Sequence, residues 1–135
     1  MNNLTDFVEA NEVQTTTRLI SEIQLVDVEK RIGIKFGPEL KYYVLNFGYL
    51  SYKHAELYGV NSNQFLESDL ITQTEYLHKY FPVTSELIAI ENQGEGDYYM
   101  VDSDDNVYEY DSELQELTDW KIKLNEYILS RFKGI

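Results

Sequence analysis

Residues 87–91, 97–102 and 107–111 are three short runs rich in Ile, Val and Tyr, separated by turn-forming residues. Such runs suit a pleated, half-buried surface, and together they read as an antiparallel meander. Ser103-Asp104-Asp105-Asn106 closes the last two as a hairpin, because Asp and Asn tolerate the dihedrals that tight turns demand. Gly94 and Gly96 supply a turn or bulge where the chain enters the middle strand.

The rest of the chain has mostly helical spacing. Leu19, Ile20, Ile23, Val26, Val28 and Ile32 make a broken helical pattern, with Asp27 as the expected N-cap of a stretch that stops at Gly33. Gly37-Pro38 opens a clearer helix: proline at the first helical position has its φ preset and loses no needed hydrogen bond. Leu40, Tyr43, Val44 and Phe47 follow at core-facing intervals, and Gly48 ends the run. Residues 49–60 read as an extended crossing with a short strand near 57–60. A third helix is predicted from Ser68 or Asp69 to Tyr80, with Leu70, Thr74, Leu77 and Phe81 on one side and Pro82 ending it. A last helix is predicted over 119–132, turning Trp120, Leu124, Tyr127, Ile128 and Phe132 inward. The expected fold is therefore α+β: one domain over residues 1–135, an antiparallel or mixed central sheet flanked by helices, a C-terminal helix, and residues 1–15 as a peripheral arm.

At 135 residues the chain has the length of one domain. It contains no cysteine, which excludes disulfides, thiol catalysis and Cys-based metal sites. The polar, acidic start lacks the pattern of a signal peptide, and no apolar stretch approaches the roughly 20 residues that span a bilayer, so a cytoplasmic location is expected. The net charge is −13, and it is concentrated: residues 86–119 hold twelve acidic side chains and no Lys, Arg or His. A field of one sign argues against nucleic acid and anionic membranes as ligands and favours a basic protein partner. The bland alternative is a solvated acidic face that aids solubility.

Several arrangements could carry chemistry. Asp102, Asp104, Asn106 and Glu113 fall at ligand positions of an EF-hand loop, but Val107 stands where that loop needs glycine, and the alternation through Tyr108, Glu109 and Tyr110 is that of a strand. The hairpin is the stronger reading, and no metal or other cofactor is expected. Glu91, Glu95 and Asp97 could supply an acid–base pair, yet no basic or nucleophilic partner is legible beside them. His54 and His78 have no metal-ligand spacing and read as surface or boundary residues. No catalytic residue is therefore assigned. Tyrosine is abundant, with Tyr98, Tyr99, Tyr108 and Tyr110 next to the acids, and aromatics among carboxylates suit a polar protein interface. The candidate partner-binding residues are Glu95, Asp97, Asp104, Asp105 and Glu109, with Tyr99 and Tyr108 as aromatic anchors.

The segment from Val28 through Glu29, Gly33-Ile34-Lys35 and Gly37-Pro38 to Leu45 resembles the opening of the SUKH superfamily: a glutamate-bearing helix, a Gly-Ile-Lys connector and a second helix starting at proline. Gly94-Glu95-Gly96-Asp97 and Val107-Tyr108-Glu109-Tyr110-Asp111 resemble two of its later strands, so the likeness runs over roughly residues 25–132. Gly37 departs from the pattern, since a bulky apolar residue commonly precedes that proline, and Asn46-Phe47-Gly48 replaces the usual Asn-Gly. The resemblance implies an α+β domain used in bacteria as an immunity protein against polymorphic or contact-dependent toxins, many of them nucleases. Eukaryotic relatives look like regulators of cell-wall assembly. The family suggests no catalytic residues, which makes a non-enzymatic, protein-binding role the expectation.

Overall fold

The computed structural model describes residues 3–60 and 69–135. The chain runs through α1 (Asn3–Ala10), α2 (Glu22–Ile32), α3 (Pro38–Asn46), the short strands β1 (Ser51–Tyr52) and β2 (Ala55–Glu56), α4 (Leu70–Tyr80), a 3₁₀ turn (Pro82–Thr84), β3 (Ile88–Asn92), β4 (Asp97–Val101), β5 (Asn106–Asp111), β6 (Glu116–Lys123) and α5 (Leu124–Lys133). The expected α+β class is what the structure has. Its meander is present as β3-β4-β5, fully antiparallel, and β6 extends it to four strands; β1 and β2 form a separate hairpin.

The pleat divides the large sheet into two faces. Tyr98, Met100, Tyr108 and Tyr110 face α4 and the 3₁₀ turn, where Phe81 meets Tyr110 at 5.4 Å and the Thr74 hydroxyl accepts the Ala89 N–H at 2.9 Å. Tyr99, Val101, Val107 and Glu109 face α5, where Tyr127 stacks on Tyr99 at 5.1 Å. Helices thus cover both faces. Against α5 lie α1 and the β1–β2 hairpin, joined through Phe7, Tyr52 and Phe132.

Four expectations are corrected. Residues 3–10 are a helix with Leu4 fully buried, so this part of the predicted arm belongs to the core. α2 begins at Ser21, not Asp27: Ser21 and Gln24 form a reciprocal capping box, which supplies a start a turn and a half earlier, and Asp27 is an exposed mid-helix residue. The expected strand near 57–60 is a hairpin at 51–56 followed by extended chain. The predicted last helix is half strand: residues 116–123 pair with β5, and Trp120 is on the sheet with its ring partly in solvent. α3 and α4 start and stop close to expectation, with Asp69 as the N-cap of α4; Ser68 lies outside the described residues.

Two helices lack caps of their own, and both are capped from elsewhere. Gly37, the N-cap of α3, has no side chain, and the Asp105 carboxylate takes its place, accepting the N–H groups of Glu39 at 2.9 Å and Leu40 at 3.0 Å. Glu39 in turn accepts the N–H of Asn125 at 2.8 Å, and the Asp105 carbonyl accepts that of Leu124 at 3.0 Å, so the start of α5 is closed by the same cluster. Lys123, at the N-cap of α5, contributes no side-chain cap. A Cβ at Gly37 would stand 2.5 Å from the Asp105 carboxyl carbon, which explains why the bulky residue usual before this proline is absent.

This geometry predicts a coupled pair. Asp105→Ala leaves two helix amides without partners in the interior and is expected to cost about 3 kcal/mol. Gly37→Ala is expected to cost about 1–2 kcal/mol in the wild-type background and little when Asp105 is already Ala, a coupling of about 1 kcal/mol in a urea double-mutant cycle. Additive costs would show that the two positions do not share the space.

Candidate interaction surface

Strand register decides which acidic residues meet. Asp97 pairs with Asp111 and Tyr99 with Glu109 across β4–β5, while Asp111 pairs with Glu116 and Glu109 with Thr118 across β5–β6. Asp97, Glu109, Asp111 and Glu116 therefore share the α5 face of the sheet. The β3–β4 and β5–β6 turns stand side by side at this end, since the Ser112 N–H and hydroxyl both donate to the Gly96 carbonyl, at 3.0 and 2.9 Å. They add the exposed Glu95 and Glu113. Glu95 takes a φ of +55°, held between Gly94 and Gly96.

Of the seven candidates, three gather here: Glu95, Asp97 and Glu109. Asp104 lies at the opposite end of the strands, about 16 Å away by strand rise, in the β4–β5 turn. There Asp102 accepts the N–H groups of Asp104 and Asn106 and the Asn106 amide, a side-chain-closed turn that joins two paired strands; the hairpin reading of this segment is thus the one the structure bears out. Asp105 is only 2% exposed and committed to α3, so its expected role at a partner surface is replaced by a structural one. Tyr99 is likewise buried, between Tyr127 and Trp120, and no longer serves as an accessible anchor. Tyr108 is half-buried on the other face of the sheet.

Sequence reasoning left out Glu116 and Trp120. Trp120 donates its indole N–H to Glu109 at 3.0 Å and meets Tyr99 edge-on at 5.2 Å, forming the aromatic border of the acidic patch. The periodicity Trp120, Leu124, Tyr127, Ile128 mimicked a single helix, while the alternation of Leu117, Asp119 and Lys121 with Thr118, Trp120 and Ile122 was the signal for a strand.

Glu91 is not part of the patch. It is 2% exposed, accepts the Tyr127 hydroxyl at 2.6 Å and pairs with the Arg131 Nε at 3.1 Å. The expectation that no base stands near it fails because Arg131 arrives from α5, forty residues on. Burial first, and then the Glu91 carboxylate, hold the Tyr127 hydroxyl far above its ordinary titration range. His54 is exposed and His78, partly buried, has its Nε2 2.7 Å from the Leu87 carbonyl, which are the surface and boundary placements expected of them. A cleft of about 460 Å³ between α1 and α5, bordered by Leu4, Asn125, Leu129 and Lys133 among others, includes none of the candidate residues. Among the described residues, no His, Cys, Asp and Glu cluster is arranged to hold a metal ion.

The patch carries electrostatic strain. The Oδ1 of Asp97 is shut off from solvent without a hydrogen-bond partner. Burial first, then the adjacent Glu109 carboxyl and the charges of Glu109 and Asp111, push the Asp97 carboxyl up to about 7, against a smaller opposing effect of the Tyr99 hydroxyl. The folded state thus holds this proton more tightly than the unfolded chain. Asp97 supports the fold most at low pH, and that support is lost as pH rises through about 7. Asp97→Asn is accordingly expected to raise the Tm by about 4 °C near pH 8.5, on the order of 1 kcal/mol once solvent screening is allowed for, with the advantage shrinking toward about pH 5.5. A pH-independent difference in thermal melts would mean that Asp97 does not carry the shifted proton.

Comparison with known proteins places this geometry. The SUKH_5 family model, described as SMI1-KNR4 cell-wall, matches residues 1–133. The crystal structure of a protein from Pseudomonas syringae pv. tomato superposes with a TM-score of 0.67 at 27% identity, covering 95% of this chain and 92% of that one. The search of curated proteins finds no match. No helix among the described residues is long and apolar enough to cross a membrane. With a family model that matches nearly its whole length and a fold shared with that solved structure, the chain belongs to the SUKH superfamily, of the SMI1-KNR4 type.

Proposed function

We propose that this protein is a bacterial, cytoplasmic immunity protein that binds and neutralises a cognate basic toxin, without catalysis of its own. The observation that carries the reading is the gathering of Glu95, Asp97, Glu109, Asp111, Glu113 and Glu116 at one end of the sheet, where adjacent turns and strand register force like charges together. Like charges held this close raise each other's free energy, and the charges of Glu109 and Asp111 add to the burial that pushes the Asp97 carboxyl up. A partner that brings Lys or Arg to this surface would relieve the repulsion and gain association rate from the one-signed field. A nuclease toxin suits it well, because its cleft must itself attract phosphate. Tyr108 and Trp120 supply aromatic area on either face of the neighbouring strands, and Asp104, at the far end, serves as the internal control.

A second reading has its own support: the matching family is described by a cell-wall role, which fits a protein-binding regulator with no toxin partner. The two readings separate in one experiment. The wild-type chain, used as bait, is expected to recover a basic domain from a lysate expressing the product of the neighbouring gene, and coexpression is expected to protect cells from that product. Glu95→Lys with Glu113→Lys should slow association by about tenfold or more and flatten its salt dependence, while Asp104→Lys leaves the rate nearly unchanged. Recovery of a non-toxic partner would favour the regulatory reading, and equal rates for all variants would remove the acidic end from the interface.

A further inference from the structure

The sheet has two edges, and they are treated differently. β3 is shielded: Ile88, Ala89, Ile90 and Glu91 are buried, and the Ile90 carbonyl accepts the Tyr58 N–H at 2.7 Å from the chain that crosses it. β6 has no neighbour beyond it among the described residues, and every one of its residues but Ile122 is exposed. An edge strand turns alternate N–H and C=O groups outward, a template for another strand unless something blunts it. Here the second half is blunted. Lys121 takes a φ of +58°, its N–H is held by the Asp119 carboxylate at 2.8 Å, and the register with β5 shifts at this point, a bulge that bends the edge away. Residues 116–119 have no such device and neither proline nor lysine. Around them stand Leu114, Leu117 and Trp120, 66%, 36% and 41% exposed.

We propose that residues 116–119 accept an extended segment of the protein partner as a fifth strand, one in which Lys or Arg alternates with apolar residues. This rests on the reading above of a basic protein partner and specifies how it docks. Charge selects the occupant. Glu113, Glu116 and Asp119 line the open stretch, and Glu109 and Asp111 stand on the next strand, while Lys121 and Lys123 lie at or beyond the bulge, with the Lys123 ammonium donating to the Asp104 carbonyl at 2.8 Å. A second copy pairing antiparallel over the same four residues would set Glu116 against Asp119, like charges directly opposite, which destabilises a strand pair. A basic strand puts opposite charges there. Its backbone supplies the hydrogen bonds, and Leu117 on one face and Trp120 on the other give its apolar side chains somewhere to rest.

The test uses the full chain, nitrogen-15 labelled, with a synthetic peptide of alternating Lys and Val, and a peptide of alternating Lys and Pro as the control of equal charge that cannot pair as a strand. Alternate amides within residues 116–119 are expected to exchange at least about tenfold more slowly with the Lys–Val peptide and unchanged with the Lys–Pro peptide, and Glu116→Lys, with an unaltered melt, is expected to lose the effect. Equal responses to both peptides would overturn strand addition in favour of simple charge attraction. Protection that rises with protein concentration and no peptide would overturn it in favour of self-pairing. If the partner captured from the lysate binds while these amides stay unprotected in the complex, the docking mode falls and the immunity reading stands. If the peptide adds to the edge and no basic partner is ever captured, the docking mode stands and the immunity reading falls.

Discussion

One buried carboxylate organises much of this fold. Asp105 sits at the tip of a hairpin, with a φ of +66°, where its side chain reaches the bare start of α3 and its carbonyl reaches the start of α5. Three elements distant in sequence are thereby tied at one point, and each supplies what another lacks: α3 lacks a capping side chain, α5 lacks one as well, and the hairpin offers acceptors to both. Burial raises the Asp105 carboxyl and the two helix amides pull it back, leaving it above the ordinary carboxylate range. The hydrogen bonds keep the site worth its cost in desolvation.

The same logic recurs where the family pattern is densest. Glu29, in the glutamate-bearing helix, accepts the Phe36 N–H at 2.7 Å and so folds the Gly-Ile-Lys connector back onto α2. Gly33 closes α2 with a left-handed residue whose N–H returns to the Glu29 carbonyl. Arg31 then grips Glu75 of α4 through two 2.9 Å hydrogen bonds. These residues hold the frame together, while at the acidic end of the sheet Asp111 closes its own turn by accepting the N–H groups of Glu113 and Leu114 at 2.9 and 3.1 Å.

Local signals were legible along much of the chain that carries its own punctuation, although the capping box of Ser21 and Gln24 that starts α2 was passed over for Asp27. Proline before Leu40, Tyr43 and Val44 marks α3; Asp69 and Pro82 bracket α4; and β3, β4 and β5 are short runs rich in Ile, Val and Tyr set off by turns. Legibility failed where a neighbour supplies the deciding interaction. α1 is eight residues long, too short to stand alone, and it exists because Leu4 and Val8 enter the core while Phe7 meets Phe132 of α5 at 6.0 Å. β6 needs β5 beside it to be a strand, and Asp105 looked like a surface acid because the helix start that buries it lies 65 residues earlier. The acidic cluster itself was visible as composition, but only register divides it into Asp97, Glu109 and Glu116 on one face and Asp104 at the far end.

Trp120 is the only tryptophan in the chain, and its position makes it an optical probe that evolution has already installed. Its ring is packed edge-on against Tyr99, tied to Glu109 by its indole nitrogen, and left partly wet on the outer side. An indole that is partly packed and partly wet emits between its buried and fully wetted extremes, so it shifts to the red when the packing opens and to the blue when its open side is covered. Opening of the sheet would free it, and occupation of the sheet edge would dry it, so the emission of one unmodified side chain separates an unfolding event from a binding event.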